Sequence, residues 1–346
     1  MPHPFEHFYR VWEAQELIDY VFSKASSKTP SLPQKISTLE RTKRKEMKRI
    51  ENTITILIEK LKSIIQSVPS LESLPEFYRR LSHLLVNNDE LRINLGRLNG
   101  IIPVLTRLSG EYRRRIAQQE SNQACADLRV EFFGRCASVI TQQASTFRFL
   151  EDCRIKLLQI PIVNLQLPSV VIAGYPNVGK STLVGKLSSA QPQIAEYPFT
   201  TKQIYIGLYT DPYGSPFFQV IDTPGVLDRP MEQRNVIERQ AILALNTIAS
   251  VILFIIDPTM TSGYELSHQI QLYNELTQSF IAGMNIPFKV VINKIDIVTP
   301  EELNTALDTL HLSKSEVFLI NAKDGQNVKA IQDFLLKYFK ETNFRR

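Results

Sequence analysis

Gly174-Tyr175-Pro176-Asn177-Val178-Gly179-Lys180-Ser181 decides how the second half of this chain is read. The octapeptide matches Gly-x-x-x-x-Gly-Lys-Ser/Thr, follows the β-branched run Val170-Val171-Ile172 and opens an amphipathic segment near 181–187. A glycine-rich turn between a strand and a helix lets backbone N–H groups wrap phosphate oxygens, and the start of the helix favours negative charge. Lys180 then reaches the β- and γ-phosphates. The Ser181 hydroxyl becomes a ligand for Mg²⁺, and Thr182 extends the cradle into the helix.

Outward from this loop the hydrophobic period alternates between two and 3.6 residues. Short β-branched runs occur at 170–172, 204–208, 217–221, 251–256, 288–292 and 317–320. Amphipathic segments lie near 181–187, 234–245, 266–280, 301–310 and 327–339. This pattern predicts an α/β domain over 166–346, with a mostly parallel six-stranded sheet and helices on both faces. The turn Asp211-Pro212-Tyr213-Gly214 predicts one antiparallel hairpin.

Other polar groups recur where strands end, the place where open α/β sheets bind ligands. Asp222-Thr223-Pro224-Gly225 follows the run at 217–221. Asp222 is placed to hold Mg²⁺ through water, and the Gly225 N–H to meet the γ-phosphate. Asn293-Lys294-Ile295-Asp296 follows 288–292. The Asp296 carboxylate can accept from guanine N1–H and N2–H₂, where adenine has no matching donors, so the ligand expected is GTP or GDP rather than ATP. Asn321-Ala322-Lys323 follows the last run and offers backbone N–H groups to guanine O6.

Between the phosphate loop and Asp222 lies Ala195-Glu196-Tyr197-Pro198-Phe199-Thr200-Thr201-Lys202, read as a polar switch loop. A threonine hydroxyl there can complete the Mg²⁺ shell only while the γ-phosphate is present, and Thr200 and Thr201 both qualify by spacing. Val226 stands where Ras-like GTPases carry the glutamine that orients the attacking water, so slow intrinsic hydrolysis is expected. Asn177 offers an amide oxygen near the β/γ-phosphate region and is a candidate ligand for a monovalent cation such as K⁺.

Residues 1–165 read as an all-α helical bundle. Apolar residues keep helical spacing through Phe8, Val11, Trp12, Leu17, Ile18, Val21 and Phe22, and again from about 38 to 67. Pro69 stops the second segment, and a shorter helix follows over 74–86. Asn88 and Asp89 look like an N-cap for a helix kinked near Gly100 and Pro103, and a last helix spans about 121–158. This half carries 25 Lys+Arg against 18 Asp+Glu, whereas 166–346 carries 15 against 17. The basic surplus gathers at Arg41, Lys43, Arg44, Lys45, Lys48 and Arg49 and at Arg113-Arg114-Arg115, a pattern suited to phosphate contacts or to a solvated helix face.

Composition narrows the remaining classes. No apolar run approaches the roughly 18 residues of a membrane span, and the N-terminus has no secretory pattern, so no membrane partner is expected. Three scattered cysteines and five scattered histidines build neither a zinc site nor a disulfide framework and suit a reducing, cytoplasmic setting. A monomer is the default.

The phosphate loop together with Tyr197-Pro198-Phe199-Thr200-Thr201 resembles the Obg-related GTPases, and within them the nucleolar GTP-binding protein one branch. Asp222 to Asp228, Arg234-Asn235, Ile237-Glu238 and Gln240-Ala241-Ile242 share the likeness, as do 148–158 and the opening helix near 17–22. The resemblance implies a GTPase acting in large ribosomal subunit assembly, its helical domain inserted into ribosomal RNA. It implies a hydrophobic residue in place of the catalytic glutamine, as Val226 is here. The switch threonine falls on Thr201, with Phe199 and Thr200 lining the nucleotide.

Two features depart from the pattern. Asn321 replaces the usual serine before Ala322-Lys323, and the sequence stops at Arg346 without a long basic extension, which suggests a short, archaeal-type form. The competing reading is a non-catalytic, GTP-dependent placeholder on the ribosome. A kinase is disfavoured by Asn293 to Asp296 and by the lack of a kinase-type catalytic loop.

Overall fold

The computed structural model describes residues 3–27, 36–198, 203–222, 227, 236–280 and 285–342. Contacts divide the chain into two compact units, one of residues 4–71 and 85–158 and the other of 1–3, 72–84 and 159–346. Residues 72–84 and 159–165, expected with the helical half, thus group with the C-terminal unit. One tie is visible locally: the Tyr78 hydroxyl, buried among apolar groups, donates to the Val163 carbonyl at 3.1 Å and lies 2.9 Å from the Val163 N–H. Tyr78 belongs to α3 (Glu76–Leu85), which follows a 3₁₀ turn at Leu71–Ser73.

The helical unit is built from α1 (Ala14–Ser27), α2 (Thr38–Ser67), α4 (Asn88–Ala117), α5 (Asn122–Thr141) and α6 (Ala144–Leu158). Each presents an apolar stripe to the others, and Leu17, Ile50, Leu61, Leu98, Tyr112, Phe132 and Leu150 are shut off from solvent. Short polar side chains start the helices. Ser37 accepts from the Glu40 N–H and Ser121 from the Ala124 N–H. The cap of α4 is Asn87, one residue earlier than expected, and its side chain accepts from the N–H groups of Asp89 and Glu90. The helix then runs through the exposed Pro103 without a break in its span.

The segment expected as one helix over 121–158 is two, separated at Gln142 and Gln143. The buried stripe Leu128, Phe132, Cys136, Ile140, Phe147 and Leu150 keeps helical spacing across the break, so periodicity alone could not reveal it. Glu46, inside this unit, is neutralised from two sides by Arg49 at 3.0 Å and Arg129 at 2.8 Å.

The C-terminal unit holds a sheet of seven strands, one more than expected. They are β1 (Ser169–Ala173), β2 (Gln193–Glu196), β3 (Gln203–Thr210), β4 (Pro216–Asp222), β5 (Ala249–Ile256), β6 (Phe288–Ile292) and β7 (Phe318–Leu319), in the order β2-β3-β4-β1-β5-β6-β7. The additional strand β2 is an exposed edge with only Ile194 and Ala195 apolar, too weak a signal to separate from a loop. Ala195 and Glu196, read above as loop, pair in it with Ile204 and Gln203 of β3.

β3 runs antiparallel to both its neighbours, β2 and β4, and the β3–β4 hairpin turns at Asp211, whose carboxylate accepts from the N–H groups of Tyr213 and Ser215. The pairs β4–β1, β1–β5, β5–β6 and β6–β7 are parallel. β1 and β5 are buried along their whole length, as strands covered on both faces should be. Helices α7 (Lys180–Leu187), α8 (Val236–Leu245), α9 (Leu266–Glu275), α10 (Pro300–Leu310) and α11 (Val328–Glu341) belong to this unit. The parallel strands thus end on one edge, where Ala173, Asp222, Ile256, Ile292 and Leu319 hand over to loops.

Candidate functional site

The loop from β1 to α7 is strained in the way a phosphate cradle requires. Gly174 has φ 137° and Gly179 has φ 103°, both left-handed positions that disfavour side chains. Space forbids a side chain as well. A Cβ on Gly174 would lie 2.4 Å from the Ile255 carbonyl oxygen, and one on Gly179 would lie 2.2 Å from the Asn293 side-chain nitrogen. The Gly174 N–H is also held by the Leu227 carbonyl at 3.1 Å.

Lys180, the first residue of α7, is 5 % exposed although charged. Its ammonium folds back into the loop and donates to the carbonyls of Gly174 at 2.8 Å and Tyr175 at 2.7 Å. A buried cation so held can exchange carbonyl partners for phosphate oxygens without crossing solvent. At the next residue, the Ser181 hydroxyl donates to Asp222 Oδ2 at 2.5 Å, and Asp222 is fully buried at the end of β4. A hydroxyl and a carboxylate side by side form a hard-oxygen donor pair, which suits Mg²⁺ rather than a softer metal.

The loops expected to read the base converge on the same edge through Asn293. Its side-chain nitrogen donates to the Val178 carbonyl at 2.8 Å, and its oxygen accepts from the Ala322 N–H at 2.9 Å. One buried amide thus joins the phosphate loop, the β6 end and the loop after β7. Asp296 follows on a turn that closes onto the Lys294 carbonyl, which accepts from Ile297 and Val298, and its side chain is exposed.

Asn321 is 3 % exposed, and its oxygen accepts from the N–H groups of Lys323 and Asp324. A serine could accept the same bonds, so the departure at this position keeps the turn that presents Ala322 and Lys323. Among the residues expected here, Gly174 to Gly179, Asn293 to Asp296 and Asn321 to Lys323 lie on loops at one sheet edge, with Lys180 to Thr182 in the first turn of α7 and Asp222 at the end of β4 beside them. Phe199, Thr200, Thr201, Gly225 and Val226 lie outside the described residues.

Two features were not anticipated from the sequence. The loop after β5, Asp257 to Tyr264, borders the phosphate loop: Tyr264 packs on Tyr175 with ring centroids 4.8 Å apart, and the Asn177 amide donates to the Ser262 carbonyl at 3.5 Å. An aspartate closing the most apolar strand at its carboxyl end was the available signal. Second, Tyr197 is 1 % exposed and donates to the Ala241 carbonyl of α8 at 2.7 Å. Burial lifts its phenol far above the ordinary tyrosine range, so it is a fixed neutral donor just before Phe199 in the segment expected as a switch loop.

These observations define a class: a phosphate-loop GTPase domain preceded in sequence by a helical domain. Residues 169–294 match the model of a 50S ribosome-binding GTPase, and residues 5–164 match that of the NOG1 N-terminal helical domain. The chain is 40% identical over 75% of its length to an uncharacterised protein of Methanocaldococcus jannaschii, covering 71% of that protein. It is 35% identical over 84% of its length to nucleolar GTP-binding protein 1 of Drosophila melanogaster, covering 44% of it, and so spans less than half of that relative. Among solved structures, nucleolar GTP-binding protein 1 of Plasmodium falciparum is similar at 28% identity and TM-score 0.44, over 53% of this chain and 92% of that one. The chain belongs to the nucleolar GTP-binding protein 1 family.

Proposed function

We propose that the protein binds and hydrolyses GTP and acts in assembly of the large ribosomal subunit, its helical unit contacting ribosomal RNA. The observation that carries the nucleotide part is the Asn293 amide, which ties the phosphate loop at Val178 to the base-side loop at Ala322. In this reading the backbone N–H groups of residues 174–182 bind the phosphates, and Lys180 leaves its carbonyl partners for the β- and γ-phosphate oxygens. Ser181 directly and Asp222 through water would hold Mg²⁺, and Thr201 would join them when the γ-phosphate is present. The bound ion would supply positive charge against the charge developing on the phosphates. Asp296 reads guanine by accepting from N1–H and N2–H₂. With Val226 at the usual glutamine position, the chain by itself orients water poorly and turns over slowly.

Asn177 is the residue that would recruit K⁺. Its amide nitrogen is engaged by Ser262, which leaves the amide oxygen for a cation. If the GTPase rate is the same in Na⁺ and K⁺, Asn177 has no such role.

The RNA reading rests on the basic helical unit and is narrowed by its ion pairs. Arg44 is paired with Glu40, Lys48 with Glu51, Arg49 with Glu46 and Arg115 with Glu131, so these charges are partly spent within the unit. Arg113 and Arg114 are exposed near the C-terminal end of α4 and are better placed for phosphates. Single-turnover GTP hydrolysis with and without large ribosomal subunits tests the proposal. Stimulated phosphate release is expected. No release in either arm would favour a placeholder, and tighter binding of ATP than GTP would overturn the assignment.

A further inference from the structure

Asp257 closes β5, is fully buried and belongs to none of the motifs discussed above. Its two oxygens accept five hydrogen bonds: Oδ1 from the Thr259 N–H at 3.0 Å and hydroxyl at 2.6 Å, and Oδ2 from the Thr261 hydroxyl at 3.1 Å, the Ser262 N–H at 2.9 Å and the Lys294 ammonium at 2.6 Å. Lys294 is also bound to the Thr261 hydroxyl at 2.7 Å. The lysine of Asn293-Lys294-Ile295-Asp296 therefore spends its charge on this loop.

Lys294 stands at φ 63°, a left-handed conformation that a lysine rarely adopts and that persists only where surroundings over-determine it. The ion pair at the tip of the side chain supplies that restraint. The turn carrying Asp296 closes on the Lys294 carbonyl, which accepts from the Ile297 N–H at 3.0 Å and the Val298 N–H at 3.2 Å. Asp257 also shapes the loop whose Ser262 carbonyl accepts from Asn177 and whose Tyr264 packs on Tyr175. Its connections run to the nucleotide-binding loops on both sides of the site.

We infer that Asp257 is a positioning residue for guanine recognition, acting through Lys294 to hold the turn that aims Asp296 at the base. The inference rests on the reading of Asp296 as the guanine acceptor. Without the carboxylate, Lys294 loses the partner that stabilises its backbone. The turn then samples other conformations, and Asp296 no longer meets N1–H and N2–H₂ together. Lys180 and Ser181 keep their own partners, Gly174, Tyr175 and Asp222, so the loss falls more heavily on base discrimination than on phosphate binding.

The test compares GDP with inosine diphosphate, which lacks the 2-amino group, in the full-length chain carrying Asp257→Asn, Lys294→Met or both. Unsubstituted protein should prefer GDP. Each single change should shrink that preference about tenfold, with the affinity for inosine diphosphate, which keeps N1–H, falling less than that for GDP. The double variant should match either single one, because the two residues act as one unit. If Asp257→Asn does not fold, the double variant, which removes both charges together, carries the comparison. Equal losses for both nucleotides, an unchanged preference, or losses that multiply would overturn the positioning role alone. Absence of a GDP preference in the unsubstituted protein would overturn the reading of Asp296 and this inference with it.

Discussion

At the scale of single residues, the site works by holding charged groups in geometries that cost energy elsewhere. Gly179 shows the steric side: a methyl group there would collide with the Asn293 amide that joins three loops. Gly179→Ala should therefore weaken GDP binding at least tenfold and destabilise the fold by roughly 1–3 kcal/mol. Isothermal titration and urea melts would read the two effects. Ser181→Ala removes one member of the oxygen pair with Asp222. GDP affinity in Mg²⁺ buffer should fall by about 10–100-fold and change little when the metal is chelated, a difference visible in fluorescent-nucleotide titrations.

In the helical unit the Arg154 guanidinium bonded to Glu151 holds that carboxyl below the ordinary range; burial pushes the other way, and the Val11 N–H adds to the lowering. A depressed folded-state value stabilises above the unfolded glutamate pKa, and this contribution is lost as pH falls through the folded value. Glu151→Gln should cost about 1–2 kcal/mol at pH 7, and the gap to the unsubstituted protein should close in acid. Denaturation midpoints across pH 7 to 3 would show it.

At the scale of elements, local polar chemistry places the helices around the site. α10 starts with a reciprocal cap: the Thr299 hydroxyl accepts from the Glu302 N–H, the Glu302 carboxylate accepts from the Thr299 N–H, and Pro300 takes the first helical position. Thr299→Ala should lower stability by about 1 kcal/mol in urea denaturation and leave GDP affinity within twofold. The edge strand β2 carries the opposite lesson. Its exposed residues are held by pairing with β3 and not by an apolar face, so a strand exists where hydrophobic periodicity is silent. The break between α5 and α6 is hidden for the converse reason, because the apolar stripe stays in phase across it.

At the scale of the whole molecule, the two compact units carry different charge, and each sets one prediction. Ligand bound only by folded protein stabilises it by mass action, about 2.7 kcal/mol at one hundred times Kd. GDP should accordingly slow hydrogen exchange in peptides covering 169–198, as mass spectrometry would show. RNA association should weaken linearly with log salt, and Arg113→Ala with Arg114→Ala should reduce that slope by about two if both contact phosphates. An unchanged slope would move the RNA surface elsewhere.

The nucleotide motifs and the alternation of strand and helix were readable without coordinates, because each depends on residue type at short, fixed spacing. Gly174, Lys180, Ser181, Asp222 and Asp296 could be singled out as candidates for that reason, and the helical nature of the first half could be read from its spacing. What the tertiary structure alone decided are relations between distant residues. Asn293 reaching Val178 and Ala322, Asp257 reaching Lys294, and residues 72–84 joining the C-terminal unit are examples. These contacts span from 29 to 115 positions where they are hydrogen bonds. No local period encodes them; they arise when parallel strands align and bring their ends to one edge. The phosphate loop was legible because its ligand geometry is local. The groups that hold its neighbours in place were not, because folding is what makes them neighbours.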